Sequence, residues 1–239
     1  MPPAPVVPAP AHTDPAAILT LVQWLSPAFP TGAFACSQGL EVAIAAGDVG
    51  TPAALADWVT DILAHGAGRT DAIRLAHARH PGADHAALAA LARALCASAE
   101  RLHETPELGA ALTLAINAVT GTAHPPAPLP VALGRAAASL ALPTAVLPTA
   151  VLPTAVLPTA VLLALSLQAF ATTLILAAVR FMPMGQTDGQ RILAALHPLI
   201  LHLAEAAAVA PLSAIGSAAI RADIASARHE TLDVRIFRT

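Results

Sequence analysis

The chain has 239 residues, 56% of them hydrophobic, 11% charged and 3% aromatic, with a formal net charge of −3. That length suits one large domain burying roughly 70–75% of its unfolded surface, and a charged fraction far below the usual figure of about 25% leaves a helical core with large apolar faces or a membrane protein. With no Tyr and no basic excess, base-stacking and phosphate-binding surfaces for nucleic acid are not expected; with every basic residue an Arg, a Walker-type phosphate loop and Schiff-base catalysis are excluded, since both need a Lys amine.

The first thirteen residues are proline-rich and have no basic n-region, so they read as a disordered leader rather than a signal peptide. Asp14-Pro15 and Thr51-Pro52 each place a capping side chain before a proline whose missing N–H would be unpaired anyway, and Thr105-Pro106 repeats the device. They predict helices over 16–25, 52–65 and 106–120. Further helices fit 37–47, 71–79 and 84–102, and the proline run at 124–130 reads as a loop. Long alternating strand patterns are absent, so the fold class is all-α: a single-domain helical bundle. Cys36 and Cys96 stand sixty residues apart and form neither a disulfide framework nor a zinc knuckle; a reducing, cytoplasmic setting fits.

Residues 142–161 are four tandem copies of Leu-Pro-Thr-Ala-Val, whose prolines rule out a straight helix; they read as an inserted connector. No charged residue occurs from Ala136 to Val179, and 159–179 alone, about 20 apolar residues, is long enough to cross a bilayer. Ser166, Gln168, Thr172 and Thr173 stand near its middle, which favours the central helix of a bundle over a single membrane anchor. A helix over 190–208 should kink at Pro198. From Arg221 to Arg238 seven of eighteen residues are charged, and 217–239 reads as a flexible tail with a short helix over 217–227.

Two polar, turn-rich blocks interrupt the apolar body: Ser26-Pro-Ala-Phe-Pro-Thr-Gly-Ala-Phe-Ala-Cys-Ser-Gln-Gly-Leu-Glu41 and Arg180-Phe-Met-Pro-Met-Gly-Gln-Thr-Asp-Gly-Gln-Arg191. Their glycines and prolines serve particular backbone angles and put polar groups within a partner's reach. Gln186, Thr187 and Asp188, ahead of Arg191, suit either a plain helix cap or a cap that also docks a partner or anion. In the tail, Arg221, Asp223, Arg228, His229, Glu230 and Arg235 make either a solvated end or an interaction arm, and their local density favours the arm. His77, His80 and His85 could share a helix face as metal ligands, yet they lack a thiolate or carboxylate pair and read as surface histidines. Cys36 could serve a hydrolase as nucleophile, but no partner for it is identifiable and no nucleophile elbow or zinc helix is present.

At these blocks the chain resembles the urease accessory protein F family (UreF). The likeness rests on Leu25–Phe34 with Ser37-Gln-Gly-Leu-Glu41, on Pro183-Met-Gly-Gln-Thr-Asp-Gly-Gln-Arg-Ile-Leu-Ala-Ala-Leu-His-Pro198, and on Gly216–Ser226 with Arg228-His-Glu-Thr231. It covers nearly the whole chain except the leader and the repeat. The resemblance implies an all-α homodimer that is not itself an enzyme. It implies binding to a D- or H-type accessory protein, to the nickel-handling accessory GTPase (UreG) and to apo-urease, so that nickel and GTP are handled by partner proteins and no cofactor is held by this chain. The family's GTPase contact corresponds to Phe34 and Arg235, with Ser37, Glu41, Gln186–Asp188, Arg191 and the tail charges as further partner-binding positions. Phe34 stands where some members have Tyr.

Overall fold

The computed structural model describes residues 13–141 and 157–239; most of the leader, and the repeat copies at 142–156, lie outside them. Among the described residues every regular element is helical, as expected of an all-α chain. Helix α1 (Pro15–Trp24) starts at Asp14, whose Oδ1 accepts the Ala16 N–H at 2.9 Å. The short α2 (Leu40–Ala45) follows two left-handed residues, Gln38 and Gly39. Helix α3 (Pro52–His65) keeps its predicted bounds, with the Thr51 hydroxyl accepting the Ala54 N–H at 3.2 Å. Helix α4 (Ala67–Ala78) then turns back against α3.

The next stretch departs from expectation. Residues 84–120 form α5 (His85–Ala94) and α6 (Ala99–Thr120), and Thr105-Pro106 is not a helix start but lies inside α6. The cap is Ser98, whose hydroxyl accepts the Arg101 N–H at 3.1 Å and also meets the Ser226 hydroxyl at 2.8 Å. The helix therefore starts at a local cap tied to the Ser226 hydroxyl, and Pro106 leaves the Leu102 carbonyl without its helical donor. The loop at 124–130 ends early, because Leu129-Pro130 opens α7 (Leu129–Ala138), where a proline costs no hydrogen bond.

Helix α8 (Thr159–Phe181) is the axis of the bundle and packs on α2, α3, α4, α9 and α10. Its length and mean hydropathy of 2.1 satisfy a membrane span. Yet no residue from Thr159 to Val179 is exposed, and Leu162, Leu163, Leu167, Ala171, Leu174, Ile175 and Ala178 are buried at helical spacing against neighbouring helices. The Thr172 and Thr173 hydroxyls donate to the carbonyls of Gln168 and Ala169, so the polar residues are satisfied within the helix. The membrane-anchor alternative is not favoured. The kink predicted at Pro198 is a full break: α9 (Gln186–Ala195) and α10 (His197–Val209) meet at 46°, with Pro198 in the first turn of the second.

The C-terminal region holds one further helix and an extended strap. Helix α11 (Ile220–His229) packs on α2 and α6, and residues 235–239 run back along the first polar block as a strap. The physical reason is burial: His229 is 0% exposed, and Phe237 and Thr239 are also buried. A Cβ at Gly39 would collide with the backbone of Ala225 and Ser226, so α11 sits on that turn as closely as glycine alone permits.

Candidate functional site

The first polar block is a chain of reversals. Gly32, with φ of 81°, starts a single 3₁₀ turn over Ala33–Ala35 that throws Phe34 outward, 64% exposed. Gln38 and Gly39 then turn the backbone so that the Ser37 and Gln38 amides converge on the Thr239 backbone oxygen, at 2.6 and 3.0 Å, with the Ser37 hydroxyl also donating at 2.6 Å. The Arg238 N–H donates to the Ala35 carbonyl at 2.7 Å. Consecutive reversals thus make a receptor for the chain's own last residues.

Behind that receptor lies a buried polar network. The Glu41 carboxylate, 4% exposed, accepts the Ile236 and Phe237 amides at 2.9 and 3.0 Å and faces His229 Nε2 at 3.1 Å. The other ring nitrogen, Nδ1, meets Glu100 at 2.8 Å, and the same carboxylate accepts from Arg235 at 2.8 Å. Carboxylate oxygens only accept, so both His229 contacts are hydrogen bonds when the ring carries two protons. Burial pushes the Glu41 carboxyl upward, but the Phe237 and Ile236 amides and His229 outweigh it and hold the group below its ordinary value.

A second cluster lies under Thr239. Its hydroxyl donates to Glu104 at 2.6 Å, and Glu104 also accepts from Arg101, whose guanidinium is 3.6 Å from Asp71. Burial alone would lower the Arg101 pKa, but the Glu104 and Asp71 carboxylates raise it. Beside them, burial and then the Glu104 charge push the Cys36 thiol up to about 12. A nucleophile needs the thiolate, so the environment opposes the hydrolase alternative.

Arg180, at the end of α8, ties the exposed turn to the strap. Its guanidinium donates to the Phe34 carbonyl and lies 5.0 Å over the Phe237 ring, which also meets Phe181 edge-on at 6.4 Å. Gln186 shares the lining of a groove of about 320 Å³ with Phe34 and Arg180, bringing the second block beside the first.

The remaining candidates scatter. Asp188 accepts the Gly185 amide at 3.3 Å and pairs with Arg191 at 2.7 Å, a local cap, and Thr187 is exposed next to it. The Arg221 guanidinium lies 5.6 Å over the buried Trp58 ring, and Asp223 accepts from Ser217 at 2.6 Å. Glu230 accepts the Ala99 amide at 2.7 Å, the first N–H of α6. Arg228 is exposed on α11 one turn beyond the exposed Ile224, itself one turn beyond the exposed Ile220. The histidine trio is gathered only in part: the His77 and His80 rings meet edge-on at 6.0 Å, while His77 and His85 each meet a backbone carbonyl, of Ala210 at 2.9 Å and of Ala78 at 2.8 Å, and are half-buried rather than solvated, whereas His80 is exposed.

Ser37, Glu41, His229 and Arg235, up to 198 positions apart, therefore form one assembly, with Phe34 joined to it through Arg180. Sequence reasoning missed Glu100, Glu104, Arg101 and Arg180. The available signal was Glu100, Glu104 and Glu107 at i, i+4 and i+7, one acidic stripe in a chain poor in charge.

Fold and network together define an all-α protein whose C-terminal strap is locked onto a turn shaped by glycine and proline. Residues 49–197 match the UreF family model. Over 224 residues, 94% of this chain and 99% of the relative, it is 59% identical to a urease accessory protein UreF of Cereibacter sphaeroides strain KD131. Identity is 48% over 227 residues, 95% and 98% of the two chains, to that of Paracoccus denitrificans, and 43% over 224 residues, 94% and 99%, to that of Dinoroseobacter shibae. The chain belongs to the UreF family.

Proposed function

We propose that this chain is a urease accessory protein. It acts as a non-catalytic scaffold in the GTP-dependent insertion of nickel into apo-urease, joining a D/H-type accessory protein to the accessory GTPase. The observation that carries this is the strap assembly, supported by full-length similarity to relatives bearing that name. Buried carboxylates hold residues 235–239 against the first block, leaving Phe34 and Arg235 accessible on a rigid base. Phe34 and Arg235 dock the GTPase. The outward face of α11, with Ile220, Ile224 and Arg228, is apolar with a charged edge and meets the D/H-type protein. Nickel is cargo and GTP belongs to the partner; the protein works in the cytoplasm as a homodimer.

Co-purification of the accessory proteins with Arg235→Ala in place tests the assignment. Recruitment of the GTPase should fall while the D/H-type partner is retained, and undiminished recruitment overturns it. Urease activity in cells lacking this gene, with and without rescue by the chain, tests the scaffold role itself.

A further inference from the structure

Arg180 stands outside every partner-binding position considered so far, yet its side chain bridges two segments 203 positions apart in sequence, one ending in an exposed aromatic ring and the other carrying Arg235. The turn at Ala33–Ala35 is a single 3₁₀ turn with a left-handed glycine before it, and its first N–H, of Ala33, has only a long 3.4 Å hydrogen bond to the Thr31 hydroxyl. Such a turn has little intrinsic stability. From outside the turn it is held by the Arg238 N–H on the Ala35 carbonyl and by Arg180 on the Phe34 carbonyl. A planar guanidinium can donate in its plane while its face lies over a ring. Arg180 is itself oriented, with Nε donating to the Leu176 carbonyl at 3.2 Å within the rigid α8.

We infer that Arg180 is a positioning residue, which holds the Phe34 turn and the C-terminal strap in one fixed relation and thereby presents Phe34 and Arg235 as a single docking surface. This rests on the reading of Phe34 and Arg235 as the GTPase contact. Without Arg180, Phe34 loses the donor on its own carbonyl, and Phe237 loses the charge over its ring. The Arg238 and Thr239 hydrogen bonds between turn and strap remain, but the Phe34 end of the turn is no longer fixed against Phe237, and a partner that needs both must restore their arrangement on binding.

The test compares the full chain with Arg180→Ala, Phe34→Ala and the double variant, each bound to its D/H-type partner. Two readouts are taken: amide hydrogen exchange over residues 33–38 and 235–239, and affinity for the accessory GTPase carrying a non-hydrolysable GTP analogue. Arg180→Ala should speed exchange in both segments by roughly tenfold and weaken GTPase binding by a similar factor. In the Phe34→Ala background the same change should cost less than in the parent chain, because the part of its effect that acts through Phe34 is already lost. Unchanged exchange in both segments, or GTPase losses that multiply independently, overturns the inference. Faster exchange with a Phe34→Ala chain that binds the GTPase normally removes the docking assignment but leaves the positioning role standing. Should Arg180→Ala not fold, Phe237→Leu keeps the buried apolar volume, removes the ring beneath the guanidinium and must move both readouts in the same direction.

Discussion

Glu41 and His229 lie 188 positions apart in sequence and 3.1 Å apart in space, on the interface where α11 closes over the first polar block. The carboxylate serves the imidazole on one side and two strap amides on the other, so a single side chain holds both C-terminal elements.

Replacing it should therefore cost more than one hydrogen bond. Glu41→Ala leaves the Ile236 and Phe237 amides and His229 facing a void, and each buried donor left without its acceptor costs about 1–3 kcal/mol. Thermal unfolding should shift downward, and limited proteolysis should clip the strap in the variant before the helical body. A variant with unchanged Tm and an uncut strap would show that the network is incidental.

Acid should release the same elements. The folded Glu41 carboxyl titrates below its unfolded value, so its contribution to stability is fully present above the ordinary carboxylate range. That contribution disappears as pH falls through the folded value. Stability measured by denaturant between neutral pH and about pH 3 should decline, and Glu41→Gln should flatten part of the decline.

The Cys36 thiol should be nearly inert. With its pKa pushed up to about 12, the thiolate fraction at pH 8 is about one in ten thousand. Alkylation followed by mass spectrometry should label Cys36 quickly only in denaturant. Rapid native labelling would contradict the burial described for it.

Gly109 marks the closest approach between α6 and the segment entering α7. A Cβ there would overlap the Ala127 carbonyl and the Leu129 amide, both backbone groups that cannot rotate away. Gly109→Ala should destabilise the protein by about 1–3 kcal/mol despite the better helix propensity of alanine. A Tm equal to or above that of the parent chain would refute the close approach.

Much was legible in the residues. Apolar spacing and proline caps determined the all-α class and the limits of α3, because helix periodicity and capping are local properties. Pro198 announced the break between α9 and α10 for the same reason, and the two turn-rich blocks announced where the backbone would reverse. Tertiary structure alone decided the rest. Thr105-Pro106 looked like a helix start, but Ser98 holds that role by capping the Arg101 N–H, and only the fold shows that the same hydroxyl meets Ser226. The charged end read as an interaction arm because its charge is locally dense; in the fold, His229, Arg235 and Arg238 meet Glu41, Glu100 and Glu107 from distant helices, and His229, Phe237 and Thr239 are buried. Which carboxylate meets which amide depends on packing between segments 195 and 196 positions apart in the chain, and for that the sequence has no local signature.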